Sequence, residues 1–496
     1  MLAPRVFFVG SHTMRILFSS LLTLTTLVAS FATESAIVPD VSPTEAYPGG
    51  KASVSFKPFA SFMLPAANLP DDEKPAFYAG KALGHQPWVK APTITTARDG
   101  LGPVYNARTC LACHVNGGRG VMPETGEQNL VSAFLRLSIP GKDKISGVVP
   151  EPTYGDQLQS QSVALFHQLR HMKMKKNDYE AAPEGYAYVD WVSKTFTYPD
   201  QSSVELRSPS VRVENLGYGE LHPKTMMSLR NAPPLHGMGL LELIPQQDID
   251  AGADPMDKNG DGISGRVNRV WNVETGAAEP GRFGLKANRA TIKIITASAF
   301  QGDIGITNPL FPDQPCSANQ TTCQNTRDGN DLPEDVELPE ELLEMVTHFM
   351  LNIGVPKRRE PNDPDVINGR AAFYETGCAQ CHTPSFTTGY SPELPHLSKQ
   401  TIWPYSDLLL HDMGPDLADH RPDYEATGTE WRTPPLWGVG LSGAVNGGSN
   451  LLHDGRARSV EEAILWHGGE AATTKERFIH LPKSERESLI KFVESL

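Results

Sequence analysis

Basic residues are the first shortage in this chain. It has 44 Lys and Arg against 58 Asp and Glu, a formal charge of −14, so it lacks the positive surface that holds a phosphate backbone and is a poor nucleic-acid binder. Long apolar runs are the second shortage. The one continuous stretch, Ile16 to Val28, is too short to span a bilayer, and no later segment is apolar enough to cross one. That stretch follows Arg15 and precedes the small residues Ala29-Ser30-Phe31-Ala32, the layout of a cleaved secretory signal. Residues 1–32 are therefore read as a signal peptide, with Met14 as an alternative start and an uncleaved anchor as the competing reading. Cleavage removes Arg5 and Arg15 and no acid, taking the charge to −16. The expected product is exported and soluble, and periplasmic in a bacterium. Its acidic surface suits brief encounters with a basic partner protein, and equally it is ordinary solubility charge.

Cysteine is scarce too, six in 496 residues, and four of the six fall in two copies of one motif: Cys110-Leu111-Ala112-Cys113-His114 and Cys378-Ala379-Gln380-Cys381-His382. C-x-x-C-H places two thiols to add across the vinyl groups of a porphyrin while the imidazole reaches its iron. A zinc site would need both pairs to converge on one metal, and a thioredoxin-like site would need a βαβ pattern and no obligatory histidine. Two covalently bound haems c are expected, with His114 and His382 as proximal ligands. Cys316 and Cys323 bracket a short polar loop and read as a local disulfide in an oxidising compartment.

Glycine and proline are plentiful, 43 and 41, so long loops are expected. Residues 33–72 lack periodicity and read as a lead-in. Residues 73–337 form a first haem unit, in which Phe134 to Ile139, Tyr186 to Val189, Lys194 to Tyr198 and Val204 to Leu206 alternate as strands do, with Pro199-Asp200 as a turn. Residues 338–496 form a second, more plainly helical unit: Leu342, Leu343, Val346, Phe349 and Met350 make one apolar stripe, and a helix from Asp363-Pro364 delivers Gly377-Cys378. The fold class expected is mainly α, two tandem cytochrome c-like domains with β-hairpin insertions in the first and long loops. A repeat joins the halves: Arg230-Asn231-Ala232-Pro233-Pro234-Leu235-His236-Gly237-Met238-Gly239-Leu240 matches Arg432-Thr433-Pro434-Pro435-Leu436-Trp437-Gly438-Val439-Gly440-Leu441 apart from one residue.

Several longer segments carry a family resemblance. Gly100 to Arg108, Gly239-Leu240-Leu241-Glu242, Asp257 to Arg266, Gly281-Arg282-Phe283-Gly284, Tyr405 to Gly414 and Leu452 to Ala457 resemble the di-haem oxidoreductase family, whose members are described as peroxidases and sometimes as thiol oxidoreductases. The family is similar, more distantly, to bacterial di-haem cytochrome c peroxidases and to the enzyme that matures methylamine dehydrogenase. The thiol label finds little support, because all six cysteines are already assigned.

Function turns on the sixth ligand of each iron, since a haem held on both faces moves electrons and one with an open face binds peroxide or dioxygen. For the second haem the distal candidate is His467. Ser459-Val460-Glu461-Glu462 is a capping box, and Val460, Ala463, Ile464 and His467 share one apolar face of the helix it starts. The resemblance implies the same position, where the peroxidases carry a methionine ligand and the methylamine dehydrogenase enzyme a tyrosine. A core histidine is the alternative for His467, and His411 and Met413 are the competing ligands. No comparable residue stands out for the first haem, which is expected to hold the open site. Glu242, alone among Leu240, Leu241, Leu243 and Ile244, is the acid placed over that iron, because peroxide cleavage needs a group that takes a proton from the near oxygen and gives it to the far one. The competing reading is a structural carboxylate paired with an arginine such as Arg230. His236 is a weaker second candidate, and Trp271, Trp431 and Trp437 are considered for electron transfer between haems.

Asp257, Asn259 and Asp261 begin a D-x-N-x-D-G calcium loop, but the glutamate expected at its twelfth position is absent and Asn268 stands there. A nonstandard calcium loop, joined by Asp254, and a merely polar turn are both open. The resemblance favours calcium, since related peroxidases carry one between their domains, although their ligand positions do not transfer. The reading is a periplasmic di-haem oxidoreductase that reduces hydrogen peroxide or another small oxidant at the His114 haem. Its electrons come through the His382 haem from a small donor protein such as a cytochrome. A dioxygen-using oxidase or oxygenase and a non-catalytic electron carrier are the alternatives.

Overall fold

Helix Pro364–Thr376 runs into the second motif as expected: Asp363 caps its first turn by accepting from the Asp365 and Val366 amides, and Gly377, at φ 98°, ends it. It lies against the C-terminal helix Lys483–Ser495, where Phe373, Tyr405 and Phe492 meet edge to face with centroids 5.3–5.7 Å apart. The computed structural model describes residues 37–57, 62–163, 181–326, 329 and 335–496; the expected signal peptide lies outside them.

The expectation of a mainly α fold is overturned. Helix accounts for 30% and strand for 18% of the described residues. Abundant Gly and Pro are the physical reason: the longest helices among the described residues are Pro364–Thr376 and Lys483–Ser495, 13 residues each, and intervening segments satisfy their backbone groups through paired short strands. Every sheet among the described residues is two-stranded. The largest is the hairpin Tyr186–Thr197 with Ser203–Glu214, paired along its full length across the Pro199-Asp200 turn. Strand Ala133–Ser138 pairs antiparallel with Met226–Asn231, which carries the start of the first repeat copy.

From Ala36 to Leu496 the chain packs as one compact unit. One core joins Leu235, Leu240 and Leu241 to Ile353, Val355, Leu409 and Trp437. A second gathers the C-terminal helices around Phe373 and Phe492 and takes in Tyr198 and Leu206 from the long hairpin. The cores thus cross residue 338, and burial of apolar surface binds the halves to each other as well as within themselves. The lead-in is tied down at the same place: Ser53–Val54 pairs in parallel with Val355–Pro356, and the buried Glu45 bonds to Arg358, Arg370 and the Tyr405 hydroxyl. Cys316 and Cys323 form a disulfide.

Candidate functional site

Thr109 sets the first motif. Its hydroxyl caps the short helix Cys110–Cys113 through the Leu111 amide and lies 2.9 Å from the carbonyls of Gly84 and His85, which fastens the turn to the end of helix Lys74–His85. His114 follows, and its Nδ1–H donates to the Pro233 carbonyl at 2.6 Å. Burial pushes the imidazole down to about 4, so it is neutral. A neutral ring that donates from Nδ1 presents a lone pair at Nε2, the state an iron ligand requires.

Cys110, Cys113 and His114 line a partly open cavity of about 1220 Å³, solvent at its mouth included. Strands Ala133–Ser138 and Met226–Asn231 contribute Phe134, Arg136 and Arg230 to its wall, and helix Ile292–Ala299 with the turn after it contributes Ile295, Phe300 and Asp303. The donor set fits a haem: two thiols, one neutral imidazole, apolar walls and arginines suited to carboxylate side groups. His114 is the one histidine among the described lining residues, and Met238 and Met350 are the thioethers.

The second motif repeats this arrangement. Cys378–Gln380 is a 3-10 turn, and His382 Nδ1–H donates to the Tyr405 carbonyl at 2.9 Å. Burial again pushes the ring down to about 4, and the neighbouring His467 lowers it further. His467 ends helix Val460–Trp466, which Ser459 caps by accepting from the Glu462 amide. Its Nδ1–H donates to the Ala463 carbonyl at 2.7 Å and burial lowers its basicity, so its Nε2 is also an available lone pair. The long hairpin braces that helix: Tyr198 donates to Glu461 at 2.9 Å, and Arg458, just ahead of the helix, donates to the Glu205 carbonyl.

The two competing ligands separate on geometry. His411 has both nitrogens engaged, Nε2 with Asp407 at 2.8 Å and Nδ1 with Glu470 at 2.7 Å. Although burial opposes it, these two carboxylates hold the ring protonated, with its pKa raised to about 12, and an imidazolium has no lone pair for a metal. Met413 packs against the second core, with its amide on the Thr429 carbonyl.

Glu242 lies outside the described lining of the His114 cavity. Its Oε2 accepts from the Ile292 amide at 2.6 Å, at the start of helix Ile292–Ala299, and burial raises its pKa. Arg230 is engaged elsewhere, with Asp423 at 2.9 Å and Asp419 at 3.7 Å; the arginine beside Glu242 is Arg282, which donates to three carbonyls of the 241–244 segment. His236 is buried against Phe62 and Trp437. Trp271 carries Lys144 over its ring, and Trp431 stacks on His453 with centroids 3.7 Å apart. In the Asp257 loop the acceptors serve their own backbone: Asp257 takes the Gly262 amide, Asn259 the Asp261 amide and Asp261 the Ile263 amide. No group of three His, Cys, Asp or Glu suited to a metal ion occurs among the described residues.

Arg136 lies within the strand pattern Phe134 to Ile139, but nothing local to Asp303, Arg136 or Arg289 marks them as neighbours. They come from three separate segments, and only strand pairing and the turn at Phe300–Ile304 bring them to one cavity.

No curated protein and no solved structure matches the chain. No helix among the described residues is long and apolar enough to cross a membrane. The model of the family described as "di-haem oxidoreductase, putative peroxidase" matches residues 44–496, which takes in both motifs, both repeat copies and the cavity, and the chain belongs to that family.

Proposed function

We propose that the chain is an exported c-type oxidoreductase whose His114 haem reduces hydrogen peroxide, or another small oxidant, with electrons received through the His382 haem from a small donor protein such as a cytochrome. The asymmetry of the two histidine sites carries this reading: His382 has a second neutral imidazole, His467, close by, whereas the cavity beside His114 holds no second histidine among its described lining residues. When bound, the haems supply iron that binds oxidant and stores electrons.

The protein's own part is positional. Pro233 and Tyr405 orient the two proximal rings through their carbonyls, Cys110, Cys113, Cys378 and Cys381 supply the thioether bonds, and a largely apolar wall lines the first site. The negative surface charge suits a basic donor protein in brief contact.

Steady-state consumption of hydrogen peroxide with a reduced small cytochrome, together with paramagnetic resonance of the oxidised protein, tests the assignment. Turnover with one high-spin and one low-spin iron is expected. Two low-spin irons and no turnover would leave an electron carrier, the reading favoured by Met238 and Met350 in the cavity wall.

A further inference from the structure

Asp303 is the one carboxylate among the described residues lining the His114 cavity. It sits on a π-helical turn, Phe300–Ile304, that directly continues helix Ile292–Ala299. Such a widened turn re-aims side chains and is common at functional sites. Here it is held from behind, because the Asp303 carbonyl accepts the amides of Asn106 and Ala107 at 2.9 and 3.0 Å, the segment that leads into the first motif. The side chain is equally fixed: Oδ1 accepts from Gln157 Nε2 at 2.8 Å, and Gln157 is itself bound to Asn106 Oδ1 at 2.6 Å. Oδ2 has no hydrogen-bond partner among the described residues.

We propose that Asp303 is the acid–base group of this cavity, taking a proton from an acidic small molecule bound at the His114 haem and returning it during the reaction. The proposal deepens the peroxide reading and rests on it for the substrate. With hydrogen peroxide, Asp303 would take the proton from one oxygen and deliver it to the other, which would leave as water with the electron pair of the O–O bond. Overall, H₂O₂, two electrons and two protons give two waters, the electrons coming from the donor protein. The surroundings suit both halves of the exchange. Burial raises the Asp303 pKa above the ordinary carboxylate value, opposed by Arg136, the Gln157 hydrogen bond and Arg289 and helped by Asp156, a shift in the direction an acid–base group needs. The Cys110 and Cys113 sulfurs face the same space. Arg136, paired with Asp156 at 2.6 Å, lines the same wall.

Hydrogen cyanide provides a test that needs no peroxide chemistry, because it must lose its proton to bind ferric iron. Its association rate is measured across pH by stopped flow on the protein carrying both haems, in wild type, Asp303→Asn and Asp303→Glu. In wild type the rate is expected to rise with pH through an inflection above the ordinary carboxylate range of about 4. Asp303→Asn should slow association by about 10²-fold and abolish the inflection, while Asp303→Glu should restore most of the rate. An Asp303→Asn protein with an unchanged rate and profile overturns the proposal. Should that variant fail to load haem, a flat wild-type profile overturns it equally. Loss of the inflection in a protein that never reduces peroxide would uphold Asp303 and reject the peroxidase reading. Failure of the wild type to bind cyanide at all would reject both.

Discussion

His236 Nε2–H donates to the Trp437 carbonyl at 2.9 Å, and the two residues hold the same place in the repeated Pro-Pro-Leu-x-Gly segment. The glycines that follow them correspond as well: Gly237 and Gly438 have φ of 75° and 73°, and each opens a short helical turn. A Cβ on Gly237 would lie 2.4 Å from Trp437 Cζ2, and one on Gly438 would lie 2.9 Å from His236 Nε2. The repeat copies therefore pack on one another through equivalent positions, as two subunits do about a two-fold axis.

Alanine at either glycine combines a left-handed backbone with a clash inside a filled core. Gly237→Ala and Gly438→Ala are each expected to lower the free energy of unfolding by about 1–3 kcal/mol, read by denaturant titration. A variant as stable as wild type would show that the contact between copies is slack.

Haem attachment separates by motif. Mass measurement of the denatured protein should show two haem additions in wild type and one after replacing either Cys110 with Cys113 or Cys378 with Cys381. A wild-type mass with one addition or none removes the two-haem c-type reading.

His467→Ala should convert a low-spin signal to high-spin, or to a water-ligated form, without loss of either covalent haem. His411→Ala should leave the spin states alone, because that ring is bound by Asp407 and Glu470 at both nitrogens. The reverse pattern transfers ligation to His411, and a change confined to Met413→Ala transfers it to Met413.

The same His411 gives a pH signature. Its folded pKa, raised to about 12, lies above the unfolded value of about 6.5, so its contribution to stability is complete below about pH 6.5 and fades as pH climbs toward the folded value. Removing the cation from two buried carboxylates costs about 3–5 kcal/mol. The stability gap between wild type and His411→Leu should be widest near pH 6 and narrow as pH rises. A gap that grows with pH would contradict a protonated ring.

Glu242 and Asp303 stand near opposite ends of one helical segment, and their substitutions should differ. Glu242→Ala strands the Ile292 amide, a loss of about 1–3 kcal/mol in stability, whereas Glu242→Gln keeps an acceptor there and should leave the rate of peroxide cleavage nearly unchanged. A slowing of about 10²–10⁴-fold in Glu242→Gln would give the proton transfer to Glu242.

What sequence could reveal here followed how local each feature is. The C-x-x-C-H motifs, the Pro199-Asp200 hairpin, helix Pro364–Thr376 and the Ser459 cap are contained in short windows, and the structure has each in place. The mainly α expectation failed because isolated strand pairs such as Val104–Tyr105 with Gln161–Ser162 are two residues long and leave no period to detect. His114 meets Pro233 across 119 residues, and Gln157 meets Asp303 across 146. Asp303 itself follows Phe300-Gln301-Gly302, a stretch that announces nothing, and becomes conspicuous only when the chain closes around the cavity. Glu242 was the more visible acid in sequence because its immediate neighbours are apolar, which reports burial but not what the buried group faces.

The burial of the thiols bears on when a haem could be attached. In the folded chain Cys110 is pushed up to about 12 and Cys378 to about 11 by burial, so almost none of either is thiolate at neutral pH, and the thiolate is the reactive form. On the proposed c-type reading, haem attachment is expected before the core closes around these sulfurs. Folding that outruns attachment would leave the sulfurs present and correctly spaced, but held in the unreactive thiol form.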